Sequence, residues 1–494
     1  MGINHDNRNP RDNLELIEII CLIPVLFAVS YLLSSMKSVS VVLSSQATAL
    51  STPNYLVEQI PKNYHVQLKS HVMASPSLLL LTPPPSTFDK AALRAAYLPP
   101  LAASLIALSN SGIPQDSAAV LDIVLPCPHL ASQSTKPRST IFKQTQHLLA
   151  GFYALIGFIA AEQNIELDGP GGIDARILLL EDSSEKFDGE VKNRQVTGPI
   201  IDLGTLALTR KDWNFIFTVQ SEAGQGLFNS YRSLANAKSP CLKGEVKQVP
   251  GGTTFTNTIQ PTPVTKDDGG GSEKTHQVVA VGGTFDHLHT GHKLLLTATA
   301  LVLQPTLTSK PSSDLPLRLI VGITGDELLV NKKHAEFLES WDQREQGVVN
   351  FLIPLLSFTT DTKADVERIR VTEDRVNGQG VVTLLKSANV QIECVVIQDP
   401  FGPTITDASV SALVVSGETR DGGKAVNDKR IEQGWEALET FEIDVLDEKD
   451  DEDLASGTKT ENYAAKISSS VIRQRRAEKA KQTGRESKPS PSNL

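Results

Sequence analysis

Short uninterrupted apolar runs alternate along this chain with longer segments whose apolar positions follow a helical period. Between Met73 and about Ala235, residues 121–125, 175–180 and 214–219 read as buried strands and residues 142–162 as a helix. After residue 276 the alternation is stronger. Strand-like runs at 277–281, 317–321, 390–397 and 411–416 alternate with helical segments at 293–303, 341–356 and 423–434, and a last strand-like run lies at 441–446. Such alternation predicts an α/β fold: a parallel sheet with helices on both faces, taking ligands at the carboxyl ends of its strands.

The patterned regions are separated by stretches without periodicity. Residues 236–276, with Pro240, Pro250, Pro261, Pro263 and the glycines at 269–271, read as a flexible linker, because such composition buries too little apolar surface to offset the entropy of ordering. The acidic run 447–453 reads as a solvated loop and residues 481–494 as a disordered tail. At the other end, the apolar run 19–33 is shorter than the ~20 residues that span a bilayer and is preceded by acidic residues. Residues 1–72 are therefore expected either to carry a membrane anchor within 14–35 or to precede a true start at Met73. The expected organisation is 1–72 uncertain, 73–235 an α/β domain of unknown role, 236–276 linker, 277–480 a second α/β domain and 481–494 tail.

Composition narrows the function classes. The 494 residues are too many for one core, and 40% hydrophobic with 21% charged residues is ordinary for a globular protein. A formal net charge of −10 argues against nucleic-acid binding, which rests on patches of Lys and Arg. A small anionic substrate needs only a local positive pocket. Cys21, Cys127, Cys241 and Cys394 form no CxxC pair, so neither zinc nor a disulfide framework is predicted, and a reducing, cytoplasmic setting is expected. Residues 269–275 imitate the end of a phosphate-binding P-loop, but Glu273 stands where its second glycine belongs.

Candidate chemistry concentrates in residues 281–293, VGGTFDHLHTGHK. An apolar strand runs into Gly282 and Gly283, and a helix begins near His292, so backbone N–H groups of the turn are free to meet a phosphate. His289 and His292, three apart with Gly291 between them, can both be aimed at one triphosphate. A second element lies at 467–473, ISSSVIR, where three serines open a helical turn that carries Arg473.

The pair of motifs resembles the HxGH nucleotidyltransferase superfamily. With the stretches 328–333 and 415–430 added, residues 277–480 are similar to the eukaryotic, especially fungal, form of pantetheine-phosphate adenylyltransferase. The resemblance implies a Rossmann-like parallel sheet and adenylyl transfer from ATP to 4′-phosphopantetheine, a step of coenzyme A biosynthesis. By motif position it implies that Thr284 and Lys332, or Lys333, hold the acceptor phosphate, and that His292 stabilises the transition state. His289, His292, Gly282, Gly283 and Phe285 would form the ATP site, Ser468, Ser469 and Ser470 would cap its terminal phosphates, and Arg473 would add positive charge there. Arg420 would bind phosphopantetheine, with Lys424 or Arg430 as substitutes. Mg²⁺ would arrive with ATP, since the motifs offer no carboxylate cluster for a protein metal site. No P-loop follows, so a fused kinase is not expected. Competing readings are a scaffold for other coenzyme A enzymes, and adenylyl or cytidylyl transfer to another phosphate such as nicotinamide mononucleotide.

Overall fold

The computed structural model describes residues 75–86, 88–114, 116–130, 136–181, 198–253, 274–304, 315–372, 377–444 and 468–486. The candidate anchor at 14–35, the acidic run and residues 254–273 of the expected linker lie outside these residues.

Two sheets carry the architecture. In the first, strands β1 (Ser77–Leu80), β2 (Ala119–Cys127), β3 (Ile173–Glu181), β4 (Ile200–Ile201), β5 (Asp212–Val219) and β6 (Lys243–Val249) pair in the order β4-β3-β2-β1-β5-β6, all parallel. In the second, β7 (Val278–Gly283), β8 (Leu317–Thr324), β9 (Val366–Val371), β10 (Gly380–Leu385), β11 (Val390–Ile397), β12 (Ala412–Ser416) and β13 (Glu439–Ile443) pair as β13-β12-β7-β8-β11-β10-β9. Its first five strands are parallel, and β10 and β9 add antiparallel at one edge. The expectation of an α/β domain followed by a Rossmann-like parallel sheet therefore holds, with an antiparallel edge added to the second sheet. In each sheet the first strand lies between its successor and a strand that comes later in the chain. Such a reversal opens a crevice at the carboxyl ends of the strands.

The helices between the sheets are apolar on nearly every side. Helix α1 (Lys90–Ser109) is capped by Asp89, whose carboxylate accepts from Ala92 N at 2.8 Å, and it packs on α2 (Phe142–Gln163). Although α1 is long and apolar enough to cross a membrane, it buries Leu93, Tyr97, Leu101, Leu105 and Leu108 in the core. Helix α2 packs in turn on α5 (Thr290–Val302), in which every residue from Lys293 onward is buried. A helix buried on all sides belongs between layers. Two short helices, α3 (Leu203–Thr209) and α4 (Glu222–Asn236), complete the amino-terminal layer. Helix α6 (Trp341–Leu356), opened by a capping box of Ser340 and Gln343, touches β3 of the first sheet and β8 and β11 of the second. One hydrophobic cluster consequently runs through both sheets.

Two expected boundaries move. Residues 243–249, inside the expected linker, form β6, because their backbone completes the edge of the first sheet although most of the side chains are exposed. Helix α9 (Ser469–Glu486) extends into the expected disordered tail. The remaining helices, α7 (Thr362–Asp365) and α8 (Arg420–Glu432), flank the second sheet.

Candidate active site

Strand β7 ends at Gly282 and Gly283, and the chain turns through residues 284–289 into α5. Gly282 is exposed, and a side chain there would meet nothing within 4 Å, so open space lies at the end of the strand. The turn needs left-handed backbone at two residues that are not glycine, Phe285 (φ 52°) and His287 (φ 48°). Each costs on the order of 1–2 kcal/mol and persists only where its surroundings fix it.

Those surroundings come from four other segments. Arg344 of α6, fully buried, donates to the Thr284 carbonyl at 2.7 Å and to Asp326 at 2.5 Å. Glu339, just before α6, accepts from His287 N at 2.8 Å, while its own N–H donates to Asp286 Oδ1 at 3.0 Å. His287 Nε2 lies 2.9 Å from the Phe337 carbonyl, and its Nδ1 lies 3.3 Å from Asp168 of the amino-terminal sheet's loop. The fourth segment is α9. Ser469 Oγ donates to the Asp286 carbonyl at 2.7 Å, and Arg473 pairs with the fully buried Asp286 carboxylate. The two motifs, far apart in sequence, therefore meet at Asp286.

His289 stands at the N-cap of α5, and His292 lies one turn on, with the two rings stacked 3.9 Å apart. Phe285 packs against His292 at 5.4 Å. A side chain at Gly291 would sit 3.2 Å from the His289 ring, so glycine lets that ring lie close to the helix. Burial pushes the pKa of both histidines down, that of His289 well below its ordinary value with the charge of His292 adding to the effect, and that of His292 to about 4. Both are thus neutral at pH 7, and a neutral imidazole still has one N–H to donate. His287 goes the other way. Burial opposes its charge, but Asp168, Glu339 and Asp286 outweigh burial and raise its pKa.

The remaining residues singled out in the sequence separate by role. Lys332 and Lys333 are exposed on the loop after β8, and the Lys333 carbonyl accepts from Arg473 Nε at 3.0 Å. Ser468, Ser469 and Ser470 form the start of α9, where the first N–H groups of a helix are free for an anion. Two readings change. Arg473 is buried and committed to Asp286, the Lys333 carbonyl and Ser470, so its charge is neutralised inside the protein and it serves as a strut joining the two motifs and the lysine loop. Arg430 cannot substitute for Arg420, because it is buried and donates to the carbonyls of Thr404, Asp407, Val410 and Glu436. Arg420 itself is exposed at the carboxyl end of β12, forked onto Glu442 of β13. Lys424 is exposed on α8.

Sequence reasoning missed Asp168, Asp286, His287, Glu339 and Arg344, whose partners lie too far along the chain to leave a local pattern. Asp286, His287 and Glu339 also place ligand atoms within 4.8 Å of one another, the spacing of a metal cluster. Their charges are already balanced by protein cations, however, with Arg473 on Asp286 and Arg476 on the neighbouring Asp168. A cavity of about 700 Å³ lies at the opposite end of the second sheet, lined by Lys274, His276, Arg430, Trp435 and Glu439, away from the stacked histidines.

Residues 68–255 match a family described as a domain of unknown function, DUF8446. An uncharacterized protein of Schizosaccharomyces pombe is 36% identical over 210 residues, 42% of this chain and 51% of that protein. A phosphopantetheine adenylyltransferase of Saccharomyces cerevisiae is 34% identical over 196 residues, 40% of this chain and 47% of its own. The chain thus spans about half the length of these two relatives. A phosphopantetheine adenylyltransferase of Thermococcus gammatolerans is 30% identical over 173 residues, 35% of this chain and 80% of its own.

Proposed function

We propose that this chain, which belongs to the phosphopantetheine adenylyltransferase family, transfers the adenylyl group of ATP to the phosphate of 4′-phosphopantetheine, giving dephospho-coenzyme A and pyrophosphate. The observation that carries the reading is the meeting at Asp286. Ser469 and Arg473 hold the start of α9 against the loop that leads into the His289–His292 stack, which supports a reading in which both motifs bind one nucleotide.

The acceptor is a phosphate monoester with a second pKa near ~6, already largely dianionic at pH 7. It needs no general base. What it needs is in-line alignment with the α-phosphorus and relief of charge on the oxygens around it. In this reading His292 donates to the α-phosphate, where negative charge gathers as the acceptor oxygen attacks and pyrophosphate leaves. His289 and the free N–H groups at Ser468, Ser469 and Ser470 bind the β- and γ-phosphates. Thr284 and Lys332 hold the acceptor phosphate, Lys332 being exposed on a loop that Arg473 anchors beside the histidine motif. Arg420 adds charge for the acceptor once Glu442 releases it; the exposed pair is weak enough to exchange. Mg²⁺ comes as the companion of ATP and neutralises its terminal phosphates.

Pyrophosphate release from ATP with 4′-phosphopantetheine, with nicotinamide mononucleotide, and from CTP with other phosphate acceptors tests the acceptor directly. Turnover with phosphopantetheine at least a hundred-fold above the others is expected; preference for another acceptor would replace this reading.

A further inference from the structure

The amino-terminal domain reaches into the nucleotide site. Its loop between α2 and β3, residues 164–172, lies on the histidine motif and touches it at two points. Lys293, the residue after His292, is buried and donates to the Leu167 carbonyl at 3.0 Å while pairing with Asp174 at 2.8 Å. Asp168, itself buried, faces His287 at 3.3 Å and also receives Arg476 of α9 at 2.7 Å. A single carboxylate thus bridges the loop of the first motif and the helix of the second.

We propose that Asp168 is a positioning residue for the adenylyl-transfer site, supplied by the amino-terminal domain, so that this domain is part of the catalytic unit and not a separate module. The inference rests on the reading above for the chemistry, but its geometry does not depend on the acceptor. The left-handed backbone at His287 sets the direction in which the chain enters α5, and hence where His289 and His292 stand. Glu339, Phe337 and Asp286 contact His287 from the second sheet's side, and among the described residues Asp168, in ionic contact with Nδ1 at 3.3 Å, is the partner that comes from the amino-terminal domain. Asp168, Asp286 and Glu339 face Arg473, Arg476 and the His287 ring, whose proton these carboxylates favour, while His289, His292 and Lys293 add cationic or titratable groups from the same segment. Neutralising Asp168 removes one partner from His287 and one from Arg476 together. The loop and the serine helix are then less firmly held around ATP.

The test uses the full chain carrying Asp168→Asn, Asp168→Glu or Glu166→Gln. Glu166 pairs with Arg475 and Lys479 on the surface and does not touch His287. Asp168→Asn is expected to raise the Kd for ATP, measured by calorimetry, and to lower kcat/KM roughly ten- to a hundred-fold through misplacement of the histidines. The alkaline limb of its pH profile moves to lower pH, because His287 loses a carboxylate that favours its proton. Asp168→Glu restores part of the loss, and Glu166→Gln behaves as wild type. An Asp168→Asn protein that folds and keeps wild-type ATP affinity and pH profile overturns the inference. Should Asp168→Asn fail to fold, Asp168→Glu, which shifts the carboxylate and is expected to keep part of the loss, takes its place, and wild-type ATP affinity in that variant overturns the inference equally. If wild type binds ATP but does not use phosphopantetheine, the acceptor reading fails, and the ATP affinities still decide the role of Asp168.

Discussion

The two sheets of this protein run their first strands into opposite kinds of loop. Both are parallel where it matters, and both place the first strand at a reversal of strand order. Strand β7 continues into Gly282, Gly283 and Thr284 and then a helix headed by two histidines, so the strand end offers backbone N–H groups and open space. Strand β1 continues through Leu81 and Thr82 into Pro83, Pro84 and Pro85. Proline has no N–H to offer, so three consecutive donors are missing where a phosphate would be cradled. In the proposed reading the same architecture carries nucleotide chemistry in the second sheet, while the first offers no backbone N–H at Pro83, Pro84 and Pro85. Function resides in the loops at the strand ends, and the fold supplies only their position.

The contrast can be broken most forcefully at the joint that closes the second sheet's loop. Arg473→Met leaves Asp286 buried without its partner, which costs about 3–5 kcal/mol, read as a loss of stability in denaturant unfolding. The double variant with Asp286→Asn should recover part of that loss, and a single variant as stable as wild type would show that the joint does not hold the motifs. Next comes His292→Ala. Removing a donor from the developing charge should lower kcat by about 10²–10³-fold while folding is kept, measured as pyrophosphate release beside circular dichroism. Near-wild-type turnover would detach the chemistry from this strand end.

Acidity gives a third, smaller effect with a definite sign. His289 and His292 have pKa values below the ordinary 6.5, so the unfolded chain binds their protons first, and the stability they contribute is lost as pH falls below about 6.5 toward 4. His287, raised above 6.5, contributes stability at lower pH that is lost as pH rises through its folded pKa. Urea midpoints between pH 4 and 8 should therefore fall at the acid end, and His292→Ala should flatten that fall. Smaller again is Arg420→Ala. Its exposed fork to Glu442 is too solvated to affect thermal unfolding, so any change should be confined to the KM for the acceptor. Least of all is expected from Pro84→Ala in the first sheet, which should leave turnover unchanged; a large loss there would mean that the amino-terminal strand end takes part after all.

Much of this was legible in the amino acids. Apolar runs marked β2, β3, β5, β8, β11 and β12, and the helical period gave α6 and, nearly to its ends, α2. What stayed hidden had physical reasons. Helix α1 contains Pro99 and Pro100, which interrupt the helical signal, and tertiary burial on α2 holds it together regardless. Strand β6, KGEVKQV, is mostly exposed, so its residues resemble loop composition. For the site, the two motifs were readable, but the joint between them was not. The burial of Arg473 against Asp286, and the reach of Asp168 to His287, are pairings across the fold that no spacing along the chain records.

The most direct test of the central claim follows the phosphorus. Incubated with 4′-phosphopantetheine, the full chain should carry label from ATP marked at the α-phosphate into dephospho-coenzyme A and release label from the γ-phosphate as pyrophosphate. Transfer of the γ-label to the acceptor, or retention of the α-label in the released nucleotide, would contradict adenylyl transfer at the paired histidines.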